Sequence, residues 1–130
     1  MSPWGAFAID ETDRTPLHAQ VERGILSAIA TGRLAVGGQL PTVRQLAVDL
    51  KVNANTIAKV YAHLERTGVL ETRRGVGTFV AARTASPQED SLRRSELNRL
   101  VDRFLADLSY HGFHVDDVLP EIQRRRQQGA

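Results

Sequence analysis

Between Thr42 and Gly77 the hydrogen-bonding and cationic side chains fall into three groups: Thr42 with Arg44, then Asn53, Asn55, Thr56 and Lys59, then Arg73 and Arg74 ahead of Gly75 and Gly77. Residue types of this kind suit a polyanion. An arginine fork can grip a phosphate, or the O6 and N7 of a guanine, through two parallel hydrogen bonds. Short Asn and Thr side chains at the opening of a helix lie beside backbone N–H groups that have no partner within the helix, so both can meet phosphates or base edges. Lys59, one turn further on, adds a cation. A turn made of two arginines and two glycines brings charge and bare backbone to the same surface. Taken singly, each has an ordinary reading too: Asn53 caps a helix, Arg44 and Lys59 are solvated charges, and a basic glycine turn is only a turn. A cap and a DNA contact are compatible roles for Asn53, and it is the co-occurrence of the groups in this order that points beyond the ordinary readings.

The charge distribution agrees. Lys and Arg number 17 against 15 Asp and Glu, a formal excess of only +2. Residues 1–39 carry three basic against four acidic side chains, residues 40–83 seven against three, and residues 84–130 seven against eight. The positive excess therefore coincides with the three groups, as a nucleic-acid surface would require, although a solvated basic face would look the same. Other chemistries find little support. With no cysteine, disulfides, thiolate zinc sites and cysteine nucleophiles are excluded together. His111 and His114 are closely spaced, and His18 and His63 complete the set, but no matching carboxylate set accompanies them, so neither metal nor cofactor is expected. No P-loop, Ser-His-Asp pattern or glycine-rich dinucleotide motif occurs, and the expectation is no enzyme. No apolar run approaches the roughly 20 residues of a membrane span, and Met1-Ser2-Pro3-Trp4 lacks the features of a signal peptide. The expected location is cytoplasmic, with no membrane partner.

Periodicity supplies the elements that must hold these groups. Residues 1–14 have no sustained period and read as an arm. Thr15 as N-cap and Pro16 in the first helical position open a helix with Leu17, Val21, Ile25 and Ile29 on one face, stopped by Gly32. Gly37-Gly38 makes a turn. Thr42, with Gln45 three residues on, forms a capping box for a second helix over about Val43 to Leu50, with Val43, Leu46, Ala47 and Leu50 inward. After Lys51-Val52, Asn53 caps a third helix reaching Thr67, with Ile57, Val60, Tyr61 and Leu64 inward and Gly68 beyond its end. Val69 to Arg73 and Thr78 to Ala81 read as strands joined by Arg74-Gly75-Val76-Gly77. Residues 83–90, with Ser86-Pro87-Gln88-Glu89-Asp90, read as a linker. A helix from about Ser91 to Tyr110 then carries a stripe of Leu97, Leu100, Val101, Phe104, Leu105 and Leu108. Gly112 interrupts it. Val115, Val118, Leu119 and Ile122 mark a shorter helix that Pro120 should kink or delay.

The expected fold is mainly α (α+β). Residues 1–82 form a winged helix-turn-helix, with residues 1–14 as its arm; residues 83–90 are the linker, and residues 91–130 a two-helix dimerisation region. Two short helices joined by a tight turn, followed by a basic hairpin, is the element order of that motif, whose second helix fits the width of a major groove while the first buttresses it.

From Pro16 to Val80 the sequence resembles the DNA-binding domain of GntR-family regulators. The resemblance rests on Pro16-Leu17, Gly32-Arg33-Leu34, Gly38-Gln39-Leu40-Pro41-Thr42-Val43-Arg44-Gln45-Leu46-Ala47, Val52-Asn53 through Thr56-Ile57, Tyr61, Leu64, Gly68, and Arg73-Arg74-Gly75-Val76-Gly77-Thr78-Phe79-Val80. It implies that Arg44 reads a base, that Asn53, Asn55 and Thr56 enter the major groove, and that Arg74-Gly75 belongs to the wing. Where many members carry an arginine in the first turn or the middle of the groove helix this chain has Ala54 or Ala58, a departure that bears on which bases are read. Residues 91–130 are similar in length to the tail of the short YtrA-type members, whose two C-terminal helices serve dimerisation; Gly112-Phe113 and Asp116-Asp117-Val118 fit that tail and Pro120 does not.

Independently of any resemblance, a two-helix appendage cannot cover both of its apolar faces alone, so a second copy is the economical partner. Leu97, Leu100, Val101, Phe104, Leu105, Leu108, Val118, Leu119 and Ile122 are the candidate dimerisation residues, with packing onto the winged domain as the alternative. The expectation is a homodimeric regulator, a repressor, on a pseudopalindromic double-stranded DNA operator. The alternative is a winged-helix RNA-binding or protein-interaction module without operator activity.

Overall fold

A computed structural model of the chain describes residues 8–82 and 87–129. Its elements are α1 (Leu17–Ala30), α2 (Val43–Leu50), α3 (Ala54–Arg66), β1 (Leu70–Arg73), β2 (Gly77–Val80), α4 (Pro87–Tyr110) and α5 (Val115–Gly129). This is the expected mainly α fold with a two-stranded wing. Two compact units divide it at residue 82.

In the first unit α3 is central: α1 and α2 both pack on it, and β1 runs against it. Ile57, Val60, Tyr61 and Leu64 of α3 join Val21, Ile25 and Ala28 of α1, Leu46 and Ala47 of α2, and Leu34, Leu40, Leu70 and Val80 in one buried cluster. Ile25, Leu46, Ile57 and Leu64 are fully buried. Each such side chain contributes about 1.5–3 kcal/mol by leaving water, more than the roughly 1 kcal/mol of a typical hydrogen bond. The core therefore sets this unit's stability, and the caps set where each helix starts.

Thr15 is not the cap of α1. Pro16 occupies that position with an extended backbone (φ −54°, ψ 146°), and the helix opens at Leu17. The Pro16 carbonyl accepts from the Ala19 and Gln20 N–H groups at 3.0 and 3.1 Å, while the Thr15 N–H is taken by Asp13 Oδ1 at 2.8 Å. Gln20 is buried, yet its amide is fully employed: Oε1 accepts from the Asp10 N–H at 2.9 Å, and Nε2 donates to the Asp10 and Thr15 carbonyls at 3.1 and 3.0 Å. This clasp fastens residues 10–15 to α1. Gly32, with φ 82°, ends that helix as expected.

β1 and β2 pair antiparallel with Leu70 opposite Val80 and Arg73 opposite Gly77. The strands are tighter than the sequence suggests, because Val69 and Ala81 lie outside them and Gly77 belongs to β2 rather than to the turn. A third segment joins the wing. Gln39 bridges to Phe79, the Val80 N–H donates to the Gly38 carbonyl at 2.8 Å, and the Leu40 N–H donates to the Thr78 carbonyl at 2.8 Å.

In the second unit, α4 starts at Pro87 rather than near Ser91, so residues 87–90 are its first turn and not linker; residues 83–86 of the expected linker lie outside the described residues. Pro87 fits the opening of a helix, and Glu89 and Asp90 sit where its positive end favours carboxylates. After Tyr110 the chain closes through Gly112 (φ 83°), and the Phe113 N–H donates back to the Leu108 carbonyl at 2.8 Å. His114 caps α5: its N–H donates to Asp117 Oδ2 at 2.8 Å, and its Nδ1 lies 3.2 Å from the Asp116 N–H. Pro120 does not delay α5, which runs from Val115 through it. Lying in the second turn, Pro120 forfeits one N–H, the one that would have met the Asp116 carbonyl.

Candidate nucleic-acid interface

The opening of α2 is set by a reciprocal cap. Thr42 Oγ1 accepts from the Gln45 N–H at 3.1 Å, and Gln45 Oε1 accepts from the Thr42 N–H at 3.0 Å. With the helix start held at both ends of this box, Arg44 stands exposed in the first turn. The residue before the cap is held as well. Pro41's carbonyl receives the Tyr61 hydroxyl at 2.7 Å, and burial pushes the Tyr61 phenol well above its usual range, so it stays a neutral donor.

Between α2 and α3, Lys51 takes a left-handed conformation (φ 57°, ψ 47°) and the chain turns at once into the Asn53 cap. Asn53 Oδ1 accepts from the Asn55 N–H at 2.8 Å, and its carbonyl accepts from Thr56 at 3.0 Å. Asn53, Asn55 and Lys59 are exposed. Thr56 is half-buried. Together with Lys59 and Val60 it lines a cleft against Leu17, His18 and Glu22 of α1, where His63 Nε2 stands 3.4 Å from Glu22 Oε1. The remaining two histidines serve the α4–α5 corner, His111 Nδ1 lying 2.8 Å from the Asp107 carbonyl and His114 forming the α5 cap.

At the wing tip the Val76 N–H donates to the Arg73 carbonyl at 2.9 Å, and Gly75 (φ 76°) occupies the turn position that calls for a left-handed residue. Arg74 and Gly75 are exposed, and Val76 is exposed beside them. Arg73 is exposed but differently employed: its guanidinium lies over the Phe79 ring, 4.3 Å from the centroid. This cation–π contact leaves its N–H donors open to a further partner. Gly77 (φ 145°) lies against Gln39, whose Nε2 donates to the Val76 carbonyl at 3.1 Å.

All ten sequence-derived candidates thus lie in one unit and outside its core: eight are exposed, with Thr56 and Gly77 half-buried. Sequence reasoning missed three residues that shape the site. Gln39 reads locally as part of the approach to α2, Tyr61 as a core aromatic, and Phe79 as a strand residue; only the folded pairing shows what they hold. Tyr61 alone offered a signal, since a buried phenol needs a hydrogen-bond partner.

Residues 17–80 match the model of the bacterial regulatory proteins, gntR family. Among known proteins, the chain is 32% identical over 114 residues to the uncharacterised helix-turn-helix regulator YhcF of Bacillus subtilis, covering 88% of this chain and 93% of that one. It is 29% identical over 110 residues to the transcriptional repressor YtrA of the same organism, covering 85% and 84%. Among solved structures, YtrA from Sulfolobus acidocaldarius, a GntR-family transcription factor, superposes with a TM-score of 0.57 at 30% identity, over 77% of this chain and 97% of that one. The DNA-binding domain of AraR, solved in complex with the operator ORE1, is 33% identical with a TM-score of 0.50, over 56% and 89%.

Proposed function

Because the chain belongs to the GntR family of bacterial regulatory proteins and is similar to its short YtrA-type members, we propose that it is a sequence-specific transcriptional repressor that binds a pseudopalindromic operator as a homodimer and carries out no catalysis. One observation carries this reading: the exposed opening of α3, where Asn53, Asn55 and Lys59 stand free of the core, with Arg44 exposed in the first turn of the helix packed against it. The AraR domain, similar over the same unit, was solved on operator DNA.

In the mechanism, the first turn of α3 enters the major groove, where the Asn55 side chain meets phosphate oxygens or base edges. Arg44 offers its two-pronged donor set to a guanine. The tip at Arg74-Gly75 and the guanidinium of Arg73 lie along the sugar-phosphate backbone, and Thr42 keeps its hydroxyl hydrogen available to a phosphate while its oxygen serves the cap. Residues 1–82 are the DNA-binding part and the helical unit is the pairing part. On α4, Leu97, Leu100, Val101, Phe104 and Leu105 are each 39–58% exposed, and Leu119 and Ile122 of α5 are 46% and 49% exposed, with Leu108 and Val118 half-buried. A second copy laid on these stripes would bury them, and its two-fold symmetry would space the half-sites about one helical turn apart. The protein works in the cytoplasm, where its operator is.

Selection of genomic fragments with the purified protein, followed by footprinting, tests this. A symmetric protected site is expected, competed poorly by RNA. Replacing Arg44 by Ala should cost about 1–3 kcal/mol of binding and relax the preference at one base pair in each half-site. Equal competition by RNA, or an Arg44→Ala protein as selective as the parent, would sink the reading.

A further inference from the structure

A wing of two four-residue strands is marginal as a free hairpin, and here its tip is held from outside. The segment Gly38–Leu40 runs along β2, with Leu40 turned into the core at 4% exposure. Side chains alternate along an extended segment, so Gln39 points the other way, outward along the wing. Its Nε2 reaches the Val76 carbonyl, 37 residues on in the chain. The approach is possible because position 77 carries no side chain: a Cβ there would lie 2.5 Å from the same Nε2. On the adjoining strand, Arg73 lies over the ring of Phe79, the residue that Gln39 bridges. Three residues after Gln39 the chain enters the Thr42 cap, and two more bring it to Arg44. The wing tip and the arginine at the start of α2 therefore hang from one short stretch of backbone.

We propose that Gln39 is the positioning residue of the wing, holding Arg74 in register with Arg44 through its bond to the Val76 carbonyl, a role that rests on the DNA-binding reading above. Gln39 touches no base. It narrows the places the tip can occupy before DNA arrives, so less freedom is lost on binding.

Gln39→Met keeps the length and apolar stem of the side chain and removes the amide, including the Nε2 donor that meets Val76. In the full-length protein without DNA, amide exchange at Gly75, Val76 and Gly77 should quicken while the melting temperature stays that of the parent. With the selected operator, affinity should fall about three- to tenfold, the worth of one hydrogen bond, and the salt dependence should become shallower by about one phosphate contact. Introduced into Arg74→Ala, Gln39→Met should weaken binding no further, because the cation it positions is gone. Tip exchange and binding both equal to the parent would overturn the proposal, as would a Gln39→Met loss of the same size in the Arg74→Ala background. Should the parent ignore duplex DNA, the reading of function fails instead, and tip exchange alone then decides whether Gln39 holds the wing.

Discussion

The Tyr61 hydroxyl donates to the Pro41 carbonyl across 2.7 Å, tying the middle of α3 to the residue just before the α2 cap. Two helices that pack only through aliphatic side chains could slide by small amounts at little cost. This bond, directed and largely shielded from water, fixes where the first turn of α2 stands relative to α3, and hence where Arg44 stands relative to Asn55.

Tyr61→Phe should therefore destabilise the first unit by about 1 kcal/mol, the worth of a hydrogen bond whose acceptor is left behind partly buried. Denaturant unfolding measures this. Operator affinity should fall further than the stability change alone explains, and a variant with parental stability and affinity would remove Tyr61 from the account.

Lys59→Ala and Arg74→Ala should each weaken binding to all duplex sequences alike and reduce the salt slope by about one. Titrations of one specific and one scrambled duplex at several salt concentrations separate this from the Arg44 effect. An unchanged slope would take the residue off the phosphate-contact list.

Phe104 lies in the middle of the α4 stripe, 44% exposed. Phe104→Glu should give a monomer by sedimentation and a protein that protects a half-site only at far higher concentration, with the fold of residues 8–82 intact. A dimer that survives this change would move the pairing face elsewhere.

Acid should loosen the turns within residues 10–15 late, while the Gln20 clasp on their backbone does not titrate. Asp10 is held below the usual carboxylate range first by the Thr12 hydroxyl and then by the Thr12 N–H, and Asp13 is lowered chiefly by the Thr15 N–H. A carboxylate whose folded value is depressed adds its stability above the ordinary Asp value near 3.9 and loses it as pH falls through the depressed one. Carboxyl-carbon NMR titration should place both midpoints below the ordinary value, with Thr12 and Thr15 amide protection lost over the same range. Midpoints at or above it would contradict the hydrogen bonds described.

Much of this architecture is legible in the residues because it is locally encoded. Thr42 and Gln45 announce the α2 cap through their own spacing, Asn53 announces α3, and the glycines announce the wing turn; each signal needs only neighbours in sequence. The misreadings arise where one local signal has two meanings. Ser86-Pro87-Gln88-Glu89-Asp90 suits a linker, but proline followed by two acids also suits the first turn of a helix, and α4 takes the second meaning. Thr15-Pro16 shifts by one position: the Pro16 carbonyl takes the first helical N–H groups, while the Thr15 carbonyl receives the Gln20 side chain. The Gln39 bridge to the wing left no trace at all, since its partners Val76 and Phe79 lie 37 and 40 residues away and a single bridged residue has no period. Pro120 warned of a break that one missing N–H in the second turn does not enforce.

The Lys51 side chain is open to solvent, the kind of position usually free to change. Its backbone is not free. With φ at 57° it is the one non-glycine residue of positive φ among those described, and it lies in the short turn between α2 and α3. Glycine or asparagine would sit there comfortably, whereas valine or isoleucine would pull the reversal open and swing the two helices apart. Tolerance at this site is governed by torsion rather than by burial, so a surface-directed mutagenesis that spares the interior would still find here a place where bulk near the backbone is punished.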